Sequence, residues 1–278
     1  MQVNELAGMD PGLRGKYLRL LERLRGLDSL VVAFSGGVDS GLLAAAAHQA
    51  LGAKMLAVTI HSPVETDEAV EAARLTAVAA GFAHKVVEYN DLENPQFVQN
   101  PADRCYHCKL ARLGELRKLG QALGFDTLAE GSNADDGGEY RPGKRAVAEL
   151  GILSPLAEAG LAKAEVRALA RVLGLPIWNR PSAPCLATRF PYGTTITVEG
   201  IRQVALAEAY LRQKGFEPVR VRHYGQLARI EVAPEAIARL IDEREAAAAY
   251  FKELGFTHTA VDLAGYRSGS LNEGLALE

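Results

Sequence analysis

The sequence predicts an α/β fold: a doubly wound parallel sheet followed by a small C-terminal α+β domain. Three observations carry this. A continuous apolar run at 30–34 reads as a strand covered on both faces, and 55–60 and Val86-Val87 read as further strands. Each is followed by a stretch with helical periodicity, and strands alternating with helices build parallel sheets. Toward the C-terminus the order changes to helix, strand, strand, helix, strand, which marks a separate unit. The expected division is 1–192 and 193–278.

Residues 11–26 read as an amphipathic helix, with Leu13, Tyr17, Leu20, Leu21 and Leu24 on one stripe. The run Leu30-Val31-Val32-Ala33-Phe34 ends in Ser35-Gly36-Gly37-Val38-Asp39-Ser40, and an Ala/Leu-rich helix continues to about residue 51. Helices are expected at 65–80 and 103–122, with a further strand at Thr127-Leu128-Ala129. Residues 131–143 form a polar, Gly-rich loop, and a helix follows at 163–173. From Pro176 to Tyr192 there are four prolines and no periodicity, so this reads as a long ordered loop of the kind that carries function. The C-terminal domain reads as helix 198–214, strands 218–223 and 228–232, helix 235–252 and strand 257–263.

Composition narrows the function classes. Over 278 residues, 48% are hydrophobic and 23% charged, which fits a globular chain and excludes a disordered or fibrous one. No apolar run approaches the roughly 20 residues of a membrane span, and the N-terminus lacks a signal-peptide pattern. The expected location is the cytoplasm, with no membrane partner. A net charge of −3 weighs against a nonspecific nucleic-acid binder, and no nucleic-acid partner is expected. Three cysteines, an odd number, point to chemistry or a metal rather than a disulfide framework.

The junction at 34–40 is the strongest local signal. Two glycines permit a tight turn and close approach of a ligand to the backbone. The helix that follows offers free N–H groups and a positive dipole end, which together bind an anion. Ser35 and Ser40 add hydroxyls, and Asp39 beside a phosphate makes sense if it holds Mg²⁺ or orients a partner. The string resembles the PP-loop of ATP pyrophosphatases, a Rossmann-like fold whose members adenylate a substrate and release pyrophosphate. It lacks the lysine of a Walker A loop, so γ-phosphate transfer is not expected. The expected ATP site comprises Ser35, Gly36, Gly37, Asp39, Ser40, Ile60, Gly131 and Asn133, with Asp135 or Asp136 touching metal or ribose.

Three further segments choose within that superfamily. They are Glu130-Gly131-Ser132-Asn133-Ala134-Asp135-Asp136 with Tyr140-Arg141-Pro142-Gly143; Ser154-Pro155-Leu156 with Lys163-Ala164-Glu165-Val166-Arg167; and Pro181-Ser182-Ala183-Pro184-Cys185-Leu186-Ala187-Thr188-Arg189 with Pro191-Tyr192-Gly193. Together and in order they resemble the LarE family of ATP-dependent sulfur transferases, and the likeness runs on through Arg220-Val221-Arg222 and residues 228–232. The resemblance implies adenylation of a carboxylate of pyridinium-3,5-biscarboxylic acid mononucleotide and replacement of AMP by sulfur, in assembly of the nickel-pincer cofactor of lactate racemase. It also implies a sulfide source and a homo-oligomer. Asp39, Cys185 and Arg189 are the expected catalytic residues, Arg189 being placed to lower the pKa of the thiol.

Cys105-Tyr106-His107-Cys108 is a CxxC pair one helical turn apart, compatible with zinc, a redox pair or an iron–sulfur cluster. A subset of the LarE family uses a three-cysteine [4Fe–4S] site, and Cys105, Cys108 and Cys185 are that number. The alternative is Cys185 as a sacrificial sulfur donor, as in other members. Arg220 and Arg222 alternate with valines, so they share a strand face. The family resemblance makes them a substrate-phosphate site, with Glu208 and Glu231 as divalent-cation ligands; cross-strand ion pairing is the plainer alternative. Two competing functions are a tRNA thiolation enzyme and a non-catalytic zinc-bound nucleotide-binding protein.

Overall fold

The computed structural model describes residues 9–137, 142–181, 184–267 and 269–273. Tyr140, Arg141, Ser182 and Ala183 of the family-like segments lie outside them. In chain order the described elements are α1 (Pro11–Arg25), β1 (Leu30–Ala33), α2 (Val38–Leu51), β2 (Met55–His61), α3 (Asp67–Ala80), β3 (His84–Glu88), α4 (Pro95–Val98), α5 (Arg104–Ala122), β4 (Thr127–Ala129), α6 (Gly143–Glu149), α7 (Pro155–Glu158) and α8 (Lys163–Val172). They continue with α9 (Val198–Gln213), β5 (Val219–Tyr224), β6 (Leu227–Val232), α10 (Ile237–Asp242), α11 (Arg244–Glu253) and β7 (His258–Val261).

The chain divides into two compact units. One holds Met1–Tyr89 and Cys105–Ala183; the other holds Asn90–Arg104 and Pro184–Glu278. The expected break at 192/193 falls inside the second unit, which also takes in the short segment before α5.

In the first unit the strands are parallel in the order β3-β2-β1-β4. Alternation along β1 explains the double layer. Leu30 and Val32 enter one core with Leu20 and Leu24 of α1, Leu42 and Leu43 of α2 and Leu169 of α8. Val31 enters a second core with Val58, Leu113 and Leu116 of α5 and Val147 of α6. A strand buried on both faces has no polar position, which is why β1 reads as an unbroken apolar run. Beyond β4, Glu130 N–H donates to Leu153 O at 2.9 Å and Leu153 N–H donates to Leu128 O at 3.1 Å. These bonds carry the sheet one short step further and set Ser154 beside Glu130.

In the second unit β5 pairs antiparallel with β6, and β6 parallel with β7. Val219, Val221 and Ile230 pack with Leu211 of α9, Leu240 of α10 and Phe251 of α11. The single helix expected at 235–252 is interrupted. Glu243, at φ −86° and ψ 5°, closes α10 and opens α11. The break lets Leu240 and Phe251 both reach the same core. The proline-rich loop contains one ordered turn, a 3-10 segment over Leu186–Arg189. The short helices α4, α6 and α7 were not expected from the sequence, since each is too brief to develop a periodic stripe.

Candidate active site

The loop between β1 and α2 is held by its own hydroxyls. Ser40 Oγ accepts from Ser35 N–H at 3.2 Å and donates to Gly37 O at 3.2 Å, and Ser35 Oγ lies 3.1 Å from it. Ser40 is thus a buried brace for the turn, not a free hydroxyl. Gly36 has φ +72°, and a Cβ there would stand 2.5 Å from Ala69 O. Gly37 has φ −85° and caps α2 with no side-chain hydrogen bond to the first turn. The first N–H groups of α2 therefore have no side-chain cap, the arrangement that receives an anion.

The loop after β4 closes on this turn. A Cβ on Gly131 would come within 2.7 Å of Ser40 N, so only glycine lets the two backbones approach this closely. Asn133 Nδ2 donates to Asp39 Oδ1 at 3.1 Å, and Lys163 Nζ donates to Asp39 Oδ2. Asp136 Oδ2 accepts from Asn133 N–H at 2.9 Å, and Asp135 Oδ2 accepts from Lys163 N–H at 2.7 Å. Both aspartates are therefore tied into the loop, Asp135 at the N-terminus of α8.

A cavity of about 340 Å³ opens here, lined among others by Phe34, Ser35, Asp39, Ile60, Arg112 and Gly131. Its lining combines apolar side chains, Val58, Leu113 and Leu116 among them, with charged ones such as Lys109 and Glu130. Lys109 Nζ donates to Glu130 Oε2 at 2.8 Å, while Glu130 Oε1 accepts from Ser154 Oγ at 2.7 Å and Ser132 N–H at 3.1 Å. Burial disfavours the Glu130 charge, but Lys109 and the hydroxyl and amide donors outweigh it and hold the pKa below the usual glutamate value. Arg112 pairs with Glu65 at 2.6 Å on the same wall. Lys109, Glu130 and Lys163 were not expected as site residues. Their signal was position alone: Lys109 follows Cys108, and Glu130 and Lys163 sit inside the family-like segments.

In the second unit Cys185 precedes the 3-10 turn, and Arg189 organises that turn. Its Nη1 donates to Pro184 O at 3.0 Å, Cys185 O at 3.2 Å and Thr188 Oγ1 at 2.8 Å. Its Nε and Nη2 fork onto Glu208 at 2.7 and 2.8 Å. The guanidinium thus binds backbone around Cys185 and pairs with Glu208. Arg104, next in sequence to Cys105, adds a further tie by donating to Ala187 O at 3.1 Å.

Arg220, Arg222, Arg229 and Glu231 share one face of β5 and β6, as the period of two requires. Arg222 forks onto Glu231 at 2.9 and 2.7 Å and donates to Thr188 O at 2.8 Å; Arg229 also reaches Glu231 at 2.8 Å. Cross-strand ion pairing is therefore what Arg222 and Glu231 do, buried rather than solvated. Glu208 accepts additionally from Val221 N–H at 3.0 Å and Arg212 at 3.3 Å. With every oxygen of Glu208 and Glu231 taken by arginine or amide, this donor set does not fit a divalent cation as placed. Arg220 is less engaged: it donates to Val219 O at 2.7 Å and lies over the Tyr266 ring at 5.3 Å. A cavity of about 320 Å³ lies at this face, lined among others by Tyr192, Arg222, Arg229, Arg267 and Ser270.

Cys105 is exposed, and Cys108 and Cys185 are half-buried. Cys105 and Cys108 belong to α5 in the first unit and Cys185 to the second. Among the described residues no group of three His, Cys, Asp or Glu side chains is placed to hold a metal. No helix of the described residues is long and apolar enough to cross a membrane.

Comparison with known proteins adds the following. Residues 16–101 match the family model described as NAD synthase. The chain is 43% identical over 262 residues, 94% of its length and 98% of the relative's, to an uncharacterized protein of Synechocystis sp.. It is 36% identical over 264 residues, 95% of its length and 96% of the relative's, to the pyridinium-3,5-bisthiocarboxylic acid mononucleotide synthase of Lactiplantibacillus plantarum. It is 30% identical over 239 residues, 86% of its length and 91% of the relative's, to an uncharacterized protein of Methanocaldococcus jannaschii.

Proposed function

The chain belongs to the LarE family, and we propose that it is an ATP-dependent sulfur transferase acting on pyridinium-3,5-biscarboxylic acid mononucleotide. The observation that carries this is the intact Ser-Gly-Gly-Val-Asp-Ser turn with an uncapped α2 N-terminus. It is braced against Gly131 and Asn133 in a chain similar over 95% of its length to the synthase of that thiocarboxylate.

ATP lies with its phosphates on the first N–H groups of α2 and its base toward the apolar end of the 340 Å³ cavity, where Ile60 contributes to the wall. Gly37 leaves room for a phosphate oxygen. A substrate carboxylate oxygen attacks the α-phosphorus, and the bond to the β-phosphate oxygen breaks with its electron pair leaving on pyrophosphate. The carboxylate becomes an acyl-adenylate, from which AMP departs readily. Sulfide attacks the acyl carbon, AMP leaves with the bonding pair, the thiol proton is released, and a thiocarboxylate remains. Helix-terminal N–H groups fixed before the reaction stabilise the growing charge without reorganising, which is where preorganised dipoles are most effective.

Mg²⁺ fits Asp39: a carboxylate is a hard oxygen ligand, and this one already holds a cation, the Lys163 ammonium. Arg220, with no carboxylate partner of its own described, is the residue we assign to the substrate phosphate, with Arg222 behind it. The donor chemistry of Cys105, Cys108 and Cys185 fits a [4Fe–4S] cluster, since such clusters take thiolate sulfur as ligand and two of the three cysteines lie a turn apart on α5. A cluster held by three cysteines supplies an open iron that can carry hydrosulfide. In this chain Arg189 and Arg104 hold the backbone on either side of Leu186, which fixes the path of Cys185. A homo-oligomer and a cytoplasmic location belong to the same proposal.

The test is pyrophosphate release by the purified protein, kept anaerobic, with ATP, Mg²⁺, sulfide and the pyridinium dicarboxylate mononucleotide. Release that depends on the mononucleotide, with a thiocarboxylate in the product mass spectrum, is expected. Release that needs tRNA instead, or none with any acceptor, defeats the proposal.

A further inference from the structure

The phosphate loop begins at the peptide that joins Phe34 to Ser35, and both ends of that peptide are held by side-chain hydroxyls. Its carbonyl, Phe34 O, accepts from Thr59 Oγ1 at 2.7 Å, and its N–H, on Ser35, donates to Ser40 Oγ at 3.2 Å. Ser40 Oγ in turn donates to Gly37 O at 3.2 Å. On the other side, Thr59 Oγ1 lies 2.8 Å from Nε2 of His84, the first residue of β3.

Proton count fixes the direction of these bonds. A hydroxyl has one proton to give, and Thr59 gives it to Phe34 O, which can only accept. His84 must therefore donate from Nε2. Burial, with the Arg74 charge nearby, holds the His84 pKa below its usual value, so the ring is neutral at neutral pH and carries its proton on Nε2. The chain then runs one way. It passes from His84 Nε2–H to Thr59 Oγ1–H to Phe34 O, across the peptide to Ser35 N–H, and on through Ser40 Oγ–H to the carbonyl of Gly37, the N-cap of α2. Bonds aligned in this way polarise one another. Thr59 is 3% exposed, and an unmade hydrogen bond is costly at such a position. Gly36 and Gly37 leave the loop few steric restraints of its own, so the direction of the N–H groups that follow depends on how the first peptide is fixed.

We propose that Thr59 and His84 are positioning residues for pyrophosphate release. They hold the first peptide of the phosphate loop so that the N–H groups at the start of α2 meet the phosphates already aligned. Both act through Phe34 O. His84 fixes the direction of the Thr59 hydroxyl, and Thr59 fixes the plane of the peptide; no proton changes hands. A donor set aligned before the reaction stabilises the charge that develops on the leaving pyrophosphate without reorganising. This inference rests on reading the loop as the phosphate site of an adenylating enzyme. It has consequences apart from turnover, in the tautomer of His84 and in the binding of a nucleotide that cannot react.

The experiment compares the full-length protein with Thr59→Val, which keeps the shape and removes the hydroxyl, Thr59→Ser, which keeps the hydroxyl, and His84→Leu. The His84 tautomer is read by long-range proton–nitrogen NMR of histidine-labelled protein. Affinities are measured for adenosine and for an α,β-methylene ATP analogue, which cannot release pyrophosphate, and pyrophosphate release is followed with ATP, Mg²⁺, sulfide and the mononucleotide. In the wild type the His84 proton should be on Nε2. Thr59→Val should bind adenosine as the wild type does and the analogue severalfold more weakly. It should release pyrophosphate about tenfold to 10²-fold more slowly, the range expected when a reacting group is slightly misplaced. Thr59→Ser should recover most of both losses, and His84→Leu should share them in smaller measure. Each of four results overturns the proposal: a His84 proton on Nδ1, wild-type analogue binding and release in Thr59→Val, a Thr59→Ser protein no better than Thr59→Val, or adenosine binding lost in step with the analogue's. If Thr59→Val does not fold, the wild-type tautomer and the His84→Leu assays decide, and wild-type analogue binding and release in His84→Leu overturns the proposal. If the wild-type protein binds the analogue but releases no pyrophosphate with the mononucleotide, the adenylation reading fails. The tautomer and the analogue affinities then still decide whether the chain of bonds sets the loop.

Discussion

Arg189 and Glu208 form a two-pronged ion pair, Nε to Oε1 at 2.7 Å and Nη2 to Oε2 at 2.8 Å, with Arg189 3% and Glu208 0% exposed. The same guanidinium holds the carbonyls of Pro184 and Cys185. The pair therefore links the core of the second unit to the one cysteine in it. The sequence suggested that Arg189 would act on the Cys185 thiol; its described bonds fix the backbone that carries that thiol.

Breaking the pair from one side should be costly, because the remaining charge stays buried without its partner. Glu208→Ala is expected to destabilise the protein by about 3–5 kcal/mol. Arg189→Lys keeps the charge but cannot fork, and should lose sulfur transfer more than it loses pyrophosphate release. Urea melts and the two assays measured side by side test this. An Arg189→Lys protein with wild-type sulfur transfer would show that the fork is not needed to place Cys185.

The acid limb of stability follows from the same groups. For Glu208 burial raises the pKa, but the Arg189 bonds and charge and the Val221 amide outweigh it, and the net shift is downward. Glu130 is shifted down as well, against burial, by Lys109. A carboxyl depressed in the fold contributes stability that is complete above its unfolded pKa and is lost as pH falls through the folded value. Urea midpoints should therefore be flat above about pH 5 and decline below the ordinary glutamate value. Glu208→Gln should lower the plateau and flatten the decline. A variant whose acid limb matches the wild type would remove Glu208 from this account.

The two glycines of the phosphate loop should separate by assay. Gly36→Ala forces φ +72° on alanine and drives its Cβ to 2.5 Å from Ala69 O, so it should cost stability, by about 1–3 kcal/mol or more. A Cβ on Gly37 meets only Ser35 Oγ, at 3.4 Å. Gly37→Ala should fold normally and fail in pyrophosphate release, as should Asp39→Asn. Normal release in a folded Gly37→Ala protein would mean that the phosphates do not approach that backbone.

What the sequence revealed and what it hid divide along range. Leu30 to Ser40 could be read directly, since alternation, buried runs and glycine turns are properties of neighbouring residues. Gly131 and Asn133 were reachable because the carboxyl edge of a parallel sheet gathers the loops after its strands. Lys163 on Asp39 and Arg189 on Glu208 were not. A charged residue carries no address for its partner, and a sequence separation of 124 between Asp39 and Lys163 says nothing of their meeting. The pairing of Glu231 with Arg222 shows the same limit from the other side. Period two placed Arg220 and Arg222 on one face of β5, yet only the folded packing decides whether such a face binds a phosphate or pairs with its neighbour strand.

Arg220 and Arg222 should differ accordingly. Arg220→Ala breaks no direct ion pair among the described residues and should leave folding nearly intact while weakening mononucleotide binding by about 1.5–3 kcal/mol. Arg222→Ala removes the fork on Glu231 and the bond to Thr188 O, and should lower stability as well. Calorimetric titration with the mononucleotide and with ATP separates the roles. Weaker ATP binding with unchanged mononucleotide binding would place Arg220 on the wrong ligand.

The sulfur source is decided by turnover and mass. If Cys105, Cys108 and Cys185 hold a cluster, Cys185 is a ligand and survives the reaction. The protein should then thiolate many equivalents of substrate when given sulfide, with no change in its own mass. Cys105→Ala should abolish transfer as completely as Cys185→Ala, and the anaerobic protein should show broad absorption near about 400 nm with matching iron and sulfide content. If Cys185 is the donor, each chain reacts once and loses roughly 34 Da, the mass of H₂S, as cysteine becomes dehydroalanine. Cys105→Ala would then be tolerated. We expect the cluster outcome, because a sacrificial mechanism has no use for two further cysteines one turn apart on α5. Intact-protein mass spectrometry after anaerobic reaction, paired with a product count, is the deciding measurement, and product capped near one per chain with mass lost at Cys185 would reverse it.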